Sequence, residues 1–254
     1  MPRPLSTPTR PVALLLGAAL LAFGALASPA RAYADEPVTH SDERGAAYTG
    51  DRPRVLVGLG DSVPAGTNCV DPNFITLLGQ RGGYQVVNRA MGGATVADVY
   101  AELADPSLRA DLAAATEVVL MIGANDLDAA MQPETAGEDP AEEVTEVRRQ
   151  FARLLTEIHQ QSNAHIVLVG YWNVSTAGAV AETLPPEVRA ADEAATRQLN
   201  QMLAELAAEH DASFVDPSEA YGADPTELLT DDGDHPNGAG HVALADATEP
   251  ALRR

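Results

Sequence analysis

The chain of 254 residues contains no lysine, so its 16 basic residues are all arginine. They are outnumbered by 37 acidic residues, which gives a formal net charge of −21 at pH 7. A surface of this charge repels nucleic acid and anionic lipid and favours solubility. The lack of lysine also excludes a phosphate-binding loop that ends in Gly-Lys-Ser or Gly-Lys-Thr. Gly58-Leu59-Gly60 does not begin a dinucleotide fingerprint, because Val63 stands where that motif needs its third glycine.

Cysteine is almost absent as well, since Cys69 is the only one. A single cysteine can form no disulfide within the chain, so stability must come from an ordinary hydrophobic core. No histidine lies near Cys69 in the sequence, and we interpret this residue as a packed small side chain rather than a reactive thiol.

Long apolar runs are missing except at the N-terminus. Arg3 and Arg10 precede an uncharged stretch, residues 11–27, that is rich in leucine and alanine. We predict that residues 1–32 are a signal peptide, cleaved after Ala32 or after the equally suitable Ala34, and that the protein is secreted. An uncleaved membrane anchor is the alternative. Cleavage would remove arginines but no acid, and would therefore make the net charge still more negative.

Beyond a polar, extended lead-in at residues 33–53, short apolar runs alternate with segments of helical character. The first predicted strand begins at Val55, and the other four cover 84–87, 118–122, 166–169 and 213–215. The predicted helices cover 74–80, 95–103 with Thr95 as cap, 107–115 with Ser107 as cap, 142–161 and 187–210, and a last one begins near Pro236. This alternation predicts one domain, residues 54–254, with a five-stranded parallel sheet in a three-layer α/β/α sandwich.

Residues suited to catalysis follow four of the predicted strands. Ser62 follows the first strand, Gly93 the second and Asn125 the third, while Asp232 and His235 follow the fifth. The carboxyl ends of parallel strands lie at one edge of a sheet, where ligands and reactive side chains gather. We therefore expect these five residues to converge at that edge.

Four short motifs contain these residues, and together they resemble a known family. They are Gly60-Asp61-Ser62, Asn88 with Gly93, Gly123-Ala124-Asn125-Asp126, and Asp232-Gly233-Asp234-His235-Pro236. In this order, and over nearly the whole chain after the lead-in, they are similar to the four blocks of the SGNH (GDSL-type) hydrolases. Ala90 departs from the pattern, because the second block usually has glycine there. One block alone is weak evidence, whereas four in the right order are strong evidence.

The resemblance implies the flavodoxin-like fold of SGNH hydrolases and ester hydrolysis through an acyl-enzyme on Ser62. It implies His235 as the base and Asp232 as the carboxylate that orients it. It also implies an oxyanion hole formed by the backbone N–H groups of Ser62 and Gly93 and the side-chain amide of Asn125. No metal or organic cofactor is implied. A serine hydroxyl is a poor nucleophile at neutral pH and needs such an adjacent base.

Other roles are open for some of these residues. Taken singly, a serine in a turn, a glycine in a loop or an asparagine before a helix is commonly structural. The aspartates at 231, 232 and 234 could form a solvated loop or a calcium site, although the EF-hand spacing is missing. His241 is a rival base, and Asp231 is a less well placed rival to Asp232. Because proline favours the first turn of a helix, Pro236 predicts that His235 lies at the loop–helix junction.

We expect a carboxylic ester hydrolase, an esterase or lipase that favours short acyl chains. The anionic surface and the lack of a long apolar segment that could act as a lid support this preference. A carbohydrate O-acetyl esterase and a non-catalytic binder of acylated glycans are the alternatives. The expected ligand is a small-molecule ester or an acylated glycan, bound by a monomer without nucleic acid and without stable membrane insertion. Tyr171 and Trp172 either line the substrate site or pack against the sheet edge.

Overall fold

A computed structural model describes residues 53–130 and 140–252. The predicted signal peptide and all but the last residue of the predicted lead-in lie outside these residues. Within the described part of the chain, no helix is both long enough and apolar enough to cross a membrane.

The described strands form a parallel sheet in the order β2-β1-β3-β4-β5. Their bounds are β1 (Val55–Gly60), β2 (Gln85–Asn88), β3 (Glu117–Met121), β4 (His165–Val169) and β5 (Ser213–Val215). The three central strands are buried along their whole length, whereas the two edge strands are partly exposed. This burial explains why β1, β3 and β4 are nearly continuous apolar runs. The predicted five-stranded parallel sheet is confirmed.

Helices cover both faces of the sheet and connect its strands. Their bounds are α1 (Ser62–Ala65), α2 (Phe74–Gly82), α3 (Val96–Glu102), α4 (Pro106–Ala114), α5 (Ala124–Ala130), α6 (Pro140–Gln161), α7 (Gly178–Thr183), α8 (Pro186–Glu209), α9 (Ser218–Tyr221) and α10 (Gly238–Thr248). Helices α2 and α10 pack together, while α6 packs against α3, α4 and α8. The connection from β1 to β2 runs one way along the sheet and the later connections run the other way, so right-handed crossovers place α2 on one face and α3, α4, α6 and α8 on the other. Helix α10 shares the face of α2, against which it packs. The result is the predicted three-layer α/β/α arrangement.

Helix α6 shows how the sequence pattern produces the core. Its apolar residues at helical spacing include Phe151, Leu154, Leu155 and Ile158, and all four side chains are fully buried. Burial of each such side chain contributes ~1.5–3 kcal/mol relative to an exposed position. The amphipathic pattern therefore fixes which side of α6 faces the sheet.

The predicted cap of α4 is wrong, whereas α10 begins at Gly238, close to the predicted start near Pro236. Asp105, not Ser107, caps α4, and its carboxylate accepts a hydrogen bond from the Ser107 N–H at 2.7 Å. Pro236 does not begin α10 but forms an isolated bridge with Leu229. Asn237 caps α10 instead, accepting a hydrogen bond from the backbone of the third residue of the helix at 3.0 Å. By contrast, Thr95 caps α3 as predicted.

A buried polar ladder crosses the amino-terminal side of the sheet. His165 Nδ1 lies 3.0 Å from a carboxylate oxygen of Glu117, and Nε2 lies 2.9 Å from the Ser213 hydroxyl. These contacts join β3, β4 and β5 at the first residue of each strand. His165 therefore has a structural role.

Candidate active site

Ser62 lies at the first position of α1, directly after β1, in a tight strand-to-helix turn. Gly60 precedes it with a φ of 140°, and a Cβ atom there would lie 1.9 Å from the carbonyl oxygen of Met121. Only glycine fits this close approach between the ends of β1 and β3. The turn is closed on its other side by a hydrogen bond of 3.0 Å from the Thr67 N–H to the Ser62 carbonyl. The turn thus holds a half-buried Ser62 at the carboxyl edge of the sheet.

Asp61 anchors this turn from inside the protein. Its Oδ1 accepts a hydrogen bond of 3.1 Å from the Val63 N–H, which caps α1, and its Oδ2 accepts one from the Tyr171 hydroxyl. Only 1% of Asp61 is exposed. Burial raises the pKa of Asp61 to about 6, against the opposing effect of the hydrogen bonds from Tyr171 and Val63. Burial and the nearby Asp61 also raise the pKa of Tyr171, so its hydroxyl stays a donor at neutral pH.

Tyr171 is itself held in place by α8. It follows β4, and β3 lies between β4 and β1 in the sheet, so its side chain spans the end of β3 to reach Asp61. The Asn200 amide accepts from the Tyr171 N–H at 2.9 Å and donates to the Tyr171 carbonyl at 2.8 Å. Of the two roles expected for Tyr171, packing at the sheet edge is the one observed. Trp172 is also buried and stacks on Tyr221 with ring centroids 3.9 Å apart.

The loop before α10 brings Asp232 and His235 together. Asp232 Oδ2 lies 2.9 Å from His235 Nδ1. Its Oδ1 accepts hydrogen bonds from the Thr230 hydroxyl at 2.7 Å and from the backbone N–H groups of Asp234 and His235 at 2.9 and 3.0 Å. Partial burial alone would raise the pKa of Asp232, but these donors, together with Asn68, hold it well below its usual value. Asp232 is therefore a carboxylate at any pH near neutral.

Gly93 and Asn125 lie on two segments that are fastened together. Gly93 has a φ of 78°, in a loop whose Ala94 carbonyl accepts a hydrogen bond of 2.8 Å from Asn125 Nδ2. The carboxylate of Asp126 accepts from the Val96 N–H at 3.1 and 3.2 Å. An amide nitrogen carries two N–H groups, so Asn125 keeps a second donor after bonding to Ala94.

Hydrogen bonds connect these segments to the nucleophile turn. The Met91 N–H donates to the Gly60 carbonyl at 2.9 Å, joining the Gly93 loop to the turn. Asn68 Nδ2 donates to Asp232 Oδ2 at 2.7 Å, joining the loop after Ser62 to the segment that carries His235. The segments that contain the five predicted residues are therefore all linked at the carboxyl edge of the sheet, as the strand order predicts.

The rival residues occupy different environments. His241 is fully buried on α10 and stacks on Phe74 of α2, with ring centroids 6.4 Å apart. Burial lowers the pKa of His241 to about 4, so this residue is a neutral core side chain. Asp234 Oδ2 lies 3.8 Å from His235 Nδ1, beyond hydrogen-bond distance, and Asp231 is exposed. Among the described residues, no group of three histidine, cysteine or acidic side chains is arranged to hold a metal ion.

The sequence did not identify Asn68 as a hydrogen-bond partner of Asp232, or Tyr171 as a partner of the turn that carries Ser62. Neither lies in one of the four motifs, and each meets its partner from a distant part of the chain. The only available signal was indirect, since both follow a strand end or turn where polar side chains gather.

Comparisons with solved structures show the same fold in several ester hydrolases. A lipase from a goat rumen metagenome is 16% identical, with a TM-score of 0.67 over 78% of this chain and 97% of that chain. Phospholipase A1 from Streptomyces albidoflavus NA297 is 18% identical, with a TM-score of 0.62 over 79% and 100% of the two chains. A catalytic mutant of an acetylxylan esterase from Geobacillus stearothermophilus is 20% identical, with a TM-score of 0.59 over 79% and 96% of the two chains.

The sequence matches a protein family but none of the curated proteins. The GDSL-like lipase/acylhydrolase family, in contrast, matches residues 59–243, which include every motif described above. The chain therefore belongs to the GDSL-like lipase/acylhydrolase family and is a carboxylic ester hydrolase.

Proposed function

We propose that this hydrolase cleaves esters through an acyl-enzyme on Ser62, with His235 as general base and Asp232 as the carboxylate that orients it. The observation that carries this proposal is the 2.9 Å contact between His235 Nδ1 and Asp232 Oδ2. Because Asp232 is ionised, Nδ1 carries the proton and donates it, and Nε2 is left as the acceptor. An imidazole in this state can take the proton of a serine hydroxyl.

The reaction proceeds in two halves on the same residues. Ser62 Oγ attacks the ester carbonyl while His235 Nε2 takes its proton, and the tetrahedral intermediate then expels the alcohol, which receives that proton. Water then attacks the acyl-enzyme as His235 takes its proton, and the acid is released as His235 returns that proton to Ser62 Oγ. The N–H groups of Ser62 and Gly93 and the amide of Asn125 stabilise the oxyanion in both halves. In comparable sites, each such donor contributes about 3–4 kcal/mol to the transition state.

We propose that short acyl esters are the preferred substrates and that the protein is exported. The formal charge of −21 disfavours anionic lipid surfaces, and the N-terminal segment has the charge and length of a signal peptide. One of the solved structures with this fold is an extracellular lipase from Streptomyces rimosus, 21% identical over 78% of this chain. N-terminal sequencing of exported protein is expected to begin at Tyr33 or Asp35. A product that retains residues 14–26 would contradict export with cleavage.

A fluorophosphonate probe tests the nucleophile. We expect it to label Ser62 in the purified wild-type protein, because only an activated hydroxyl reacts at an appreciable rate. Ser62→Ala is expected to lose both labelling and esterase activity. Ser107→Ala is the matched control, since Ser107 bonds to Asp105 on the distant α4 cap. Unchanged labelling of Ser62→Ala would refute the proposed nucleophile.

A substrate series tests the acyl preference. Aryl esters from acetyl to decanoyl are compared by kcat/KM, beside acetylated xylan and emulsified triglyceride. We expect the highest values for acetyl and butyryl esters. A higher kcat/KM on long chains would contradict the short-chain proposal, and a clear preference for acetylated xylan would instead identify a carbohydrate O-acetyl esterase.

A further inference from the structure

Asn68 contacts the catalytic carboxylate from outside its own loop. Asn68 Nδ2 lies 2.7 Å from Asp232 Oδ2, the same oxygen that lies 2.9 Å from His235 Nδ1. Among the hydrogen bonds of the described residues, the other donors to Asp232 come from Thr230, Asp234 and His235. Asn68 is thus the one of these donors that lies beyond residues 230–235, and its hydrogen bond fixes the carboxylate relative to the rest of the site.

The segment that carries Asn68 is an extension of the nucleophile turn. The Thr67 N–H bonds to the carbonyl of Ser62 at 3.0 Å, and the Cys69 N–H bonds to that of Gly66 at 3.3 Å. Asn68 is therefore six residues from the nucleophile, in a loop closed by hydrogen bonds to the turn itself. Its contact with Asp232 joins the part of the site that attacks the ester to the part that moves the proton.

The backbone at Asn68 has a conformation that few residues other than glycine adopt. Its φ is 61°, in the left-handed region, and Asp211 is the only other non-glycine residue with a positive φ in the described part of the chain. Glycine adopts this conformation without strain, and asparagine is among the few other residues that tolerate it. Glycine would satisfy the backbone here, so the asparagine adds something further, which is the amide that reaches Asp232.

We propose that Asn68 is a positioning residue for the catalytic acid–base pair: its amide fixes the Asp232 carboxylate and thereby holds His235 in register with Ser62. This inference rests on the function proposed above. The hydrogen bond from Asn68 limits rotation of the carboxylate, and it draws negative charge on Oδ2 away from the imidazole. Without it, His235 Nδ1 would be the one remaining hydrogen-bond partner of Oδ2 among the described residues.

The electrostatic part of this role predicts a change in the pH dependence of activity. A carboxylate that loses a donor attracts a proton on the neighbouring imidazole more strongly, and a protonated imidazole cannot act as the base. The active enzyme needs neutral His235, and the acid limb of the pH–kcat/KM profile therefore moves to higher pH. Asp234, Asp61 and His241 also act on His235 electrostatically, and substitution of Asn68 leaves all three in place.

Three substitutions separate the amide from the backbone. Asn68→Gly keeps the left-handed conformation and removes the amide. We expect kcat to fall about tenfold with KM within about twofold, and the acid limb to rise by about half a pH unit or more. Asn68→Ala is expected to show the same limb shift with an added loss of stability, because alanine tolerates a positive φ poorly. Asn68→Asp places a second carboxylate against Asp232 and is expected to give the largest shift.

Two further variants control for loosening of the loop and for the route of the effect. Asn73 caps α2, and its side chain accepts a hydrogen bond of 2.9 Å from the Thr76 N–H. Asn73→Ala removes this cap and is expected to lower Tm without moving the acid limb. In Asn68→Gly combined with Asp232→Asn, the loss of kcat is expected to be no larger than for Asp232→Asn alone, because Asn68 acts through that carboxylate.

The outcomes distinguish this inference from the proposed function. If Asn68→Gly keeps the wild-type kcat and pH profile while Ser62→Ala is inactive and Asp232→Asn is strongly impaired, the role of Asn68 is refuted and the catalytic assignment stands. If Ser62→Ala and Asp232→Asn retain full activity, the catalytic assignment fails and the role of Asn68 fails with it.

Discussion

The two carboxylate oxygens of Asp61 serve different parts of the molecule. Oδ1 caps the helix that carries Ser62, and Oδ2 bonds to Tyr171 at the end of β4. A buried acceptor that loses its donor costs more free energy than an exposed one, because no water replaces the bond. The position of the nucleophile turn therefore depends on a tyrosine 110 residues away in the chain.

Tyr171→Phe tests this dependence. Removal of the hydroxyl leaves Asp61 Oδ2 without its phenolic donor, and we expect a loss of ~1–3 kcal/mol in the free energy of unfolding and at least a tenfold fall in kcat. Urea unfolding and steady-state kinetics measure the two effects. Tyr221→Phe is the matched control, since its buried hydroxyl bonds to the Gly240 carbonyl at 3.0 Å. It is expected to lose similar stability with kcat within about threefold of wild type, and equal kcat values for the two variants would contradict the special role of Tyr171.

Single residues also show where sequence reasoning stops. Ser62, Asp232 and His235 could be proposed from motif order, because the chemistry of each residue type and its place after a strand agree. Asn68 and Tyr171 could not, because their importance lies in partners that only the folded chain brings near. A tyrosine after a strand looks the same whether it packs, lines a pocket or holds a carboxylate.

At the scale of elements, the N-terminus of α3 connects two halves of the predicted oxyanion site. Thr95 caps the helix in a capping box with Asp98, a local interaction. The next N–H group, of Val96, bonds instead to Asp126 in the helix that follows β3. One helix end thus places the Gly93 loop beside Asn125.

Two substitutions at this helix end are expected to have different effects. Thr95→Ala removes only the local cap, and we expect a loss of about 1 kcal/mol in unfolding free energy with kcat nearly unchanged. Asp126→Ala removes one of the two hydrogen-bonded links between the Gly93 loop and the segment of Asn125, and we expect kcat to fall about tenfold or more because the oxyanion donors are held less firmly. The measurements are chemical unfolding and steady-state kinetics on both variants. A Thr95→Ala variant that loses as much kcat as Asp126→Ala would show that helix stability, not the link, matters.

The elements themselves were largely predictable, and the errors are local. Apolar runs predicted the strands because burial on both faces of β1, β3 and β4 leaves little choice of residue type. The predicted bounds of the edge strand β5 agree at both ends. Helix starts differ from the prediction where a proline lies nearby. Pro106 occupies the first position of α4, which moves the cap to Asp105, and Pro236 is held outside α10 by its bridge to Leu229. The first outcome is local, since an aspartate followed by proline is a common helix start, whereas the second depends on a contact that the local pattern does not specify.

For the whole molecule, two buried groups make opposing contributions to the pH dependence of stability. Burial lowers the pKa of His241 from 6.5 to about 4, so between these values the unfolded chain binds a proton that the folded chain does not. Stability from this group is therefore lost as the pH falls from 6.5 to 4. Burial raises the pKa of Asp61 from 3.8 to about 6, so there the folded chain binds the extra proton, and stability is lost as the pH rises from 3.8 to 6.

Single variants are expected to expose the two contributions, each of which amounts to roughly 3 kcal/mol at its full extent. In His241→Leu the Asp61 contribution is no longer opposed, so the free energy of unfolding should fall more steeply from pH 4 to pH 6 than in the wild type. In Asp61→Asn the His241 contribution remains, so stability should rise with pH over the same range relative to the wild type. The double variant lacks both groups and should recover the wild-type slope, whatever its absolute stability. Urea unfolding at pH 4, 5, 6 and 7 measures all four proteins, and single-variant slopes equal to that of the wild type would contradict the argument.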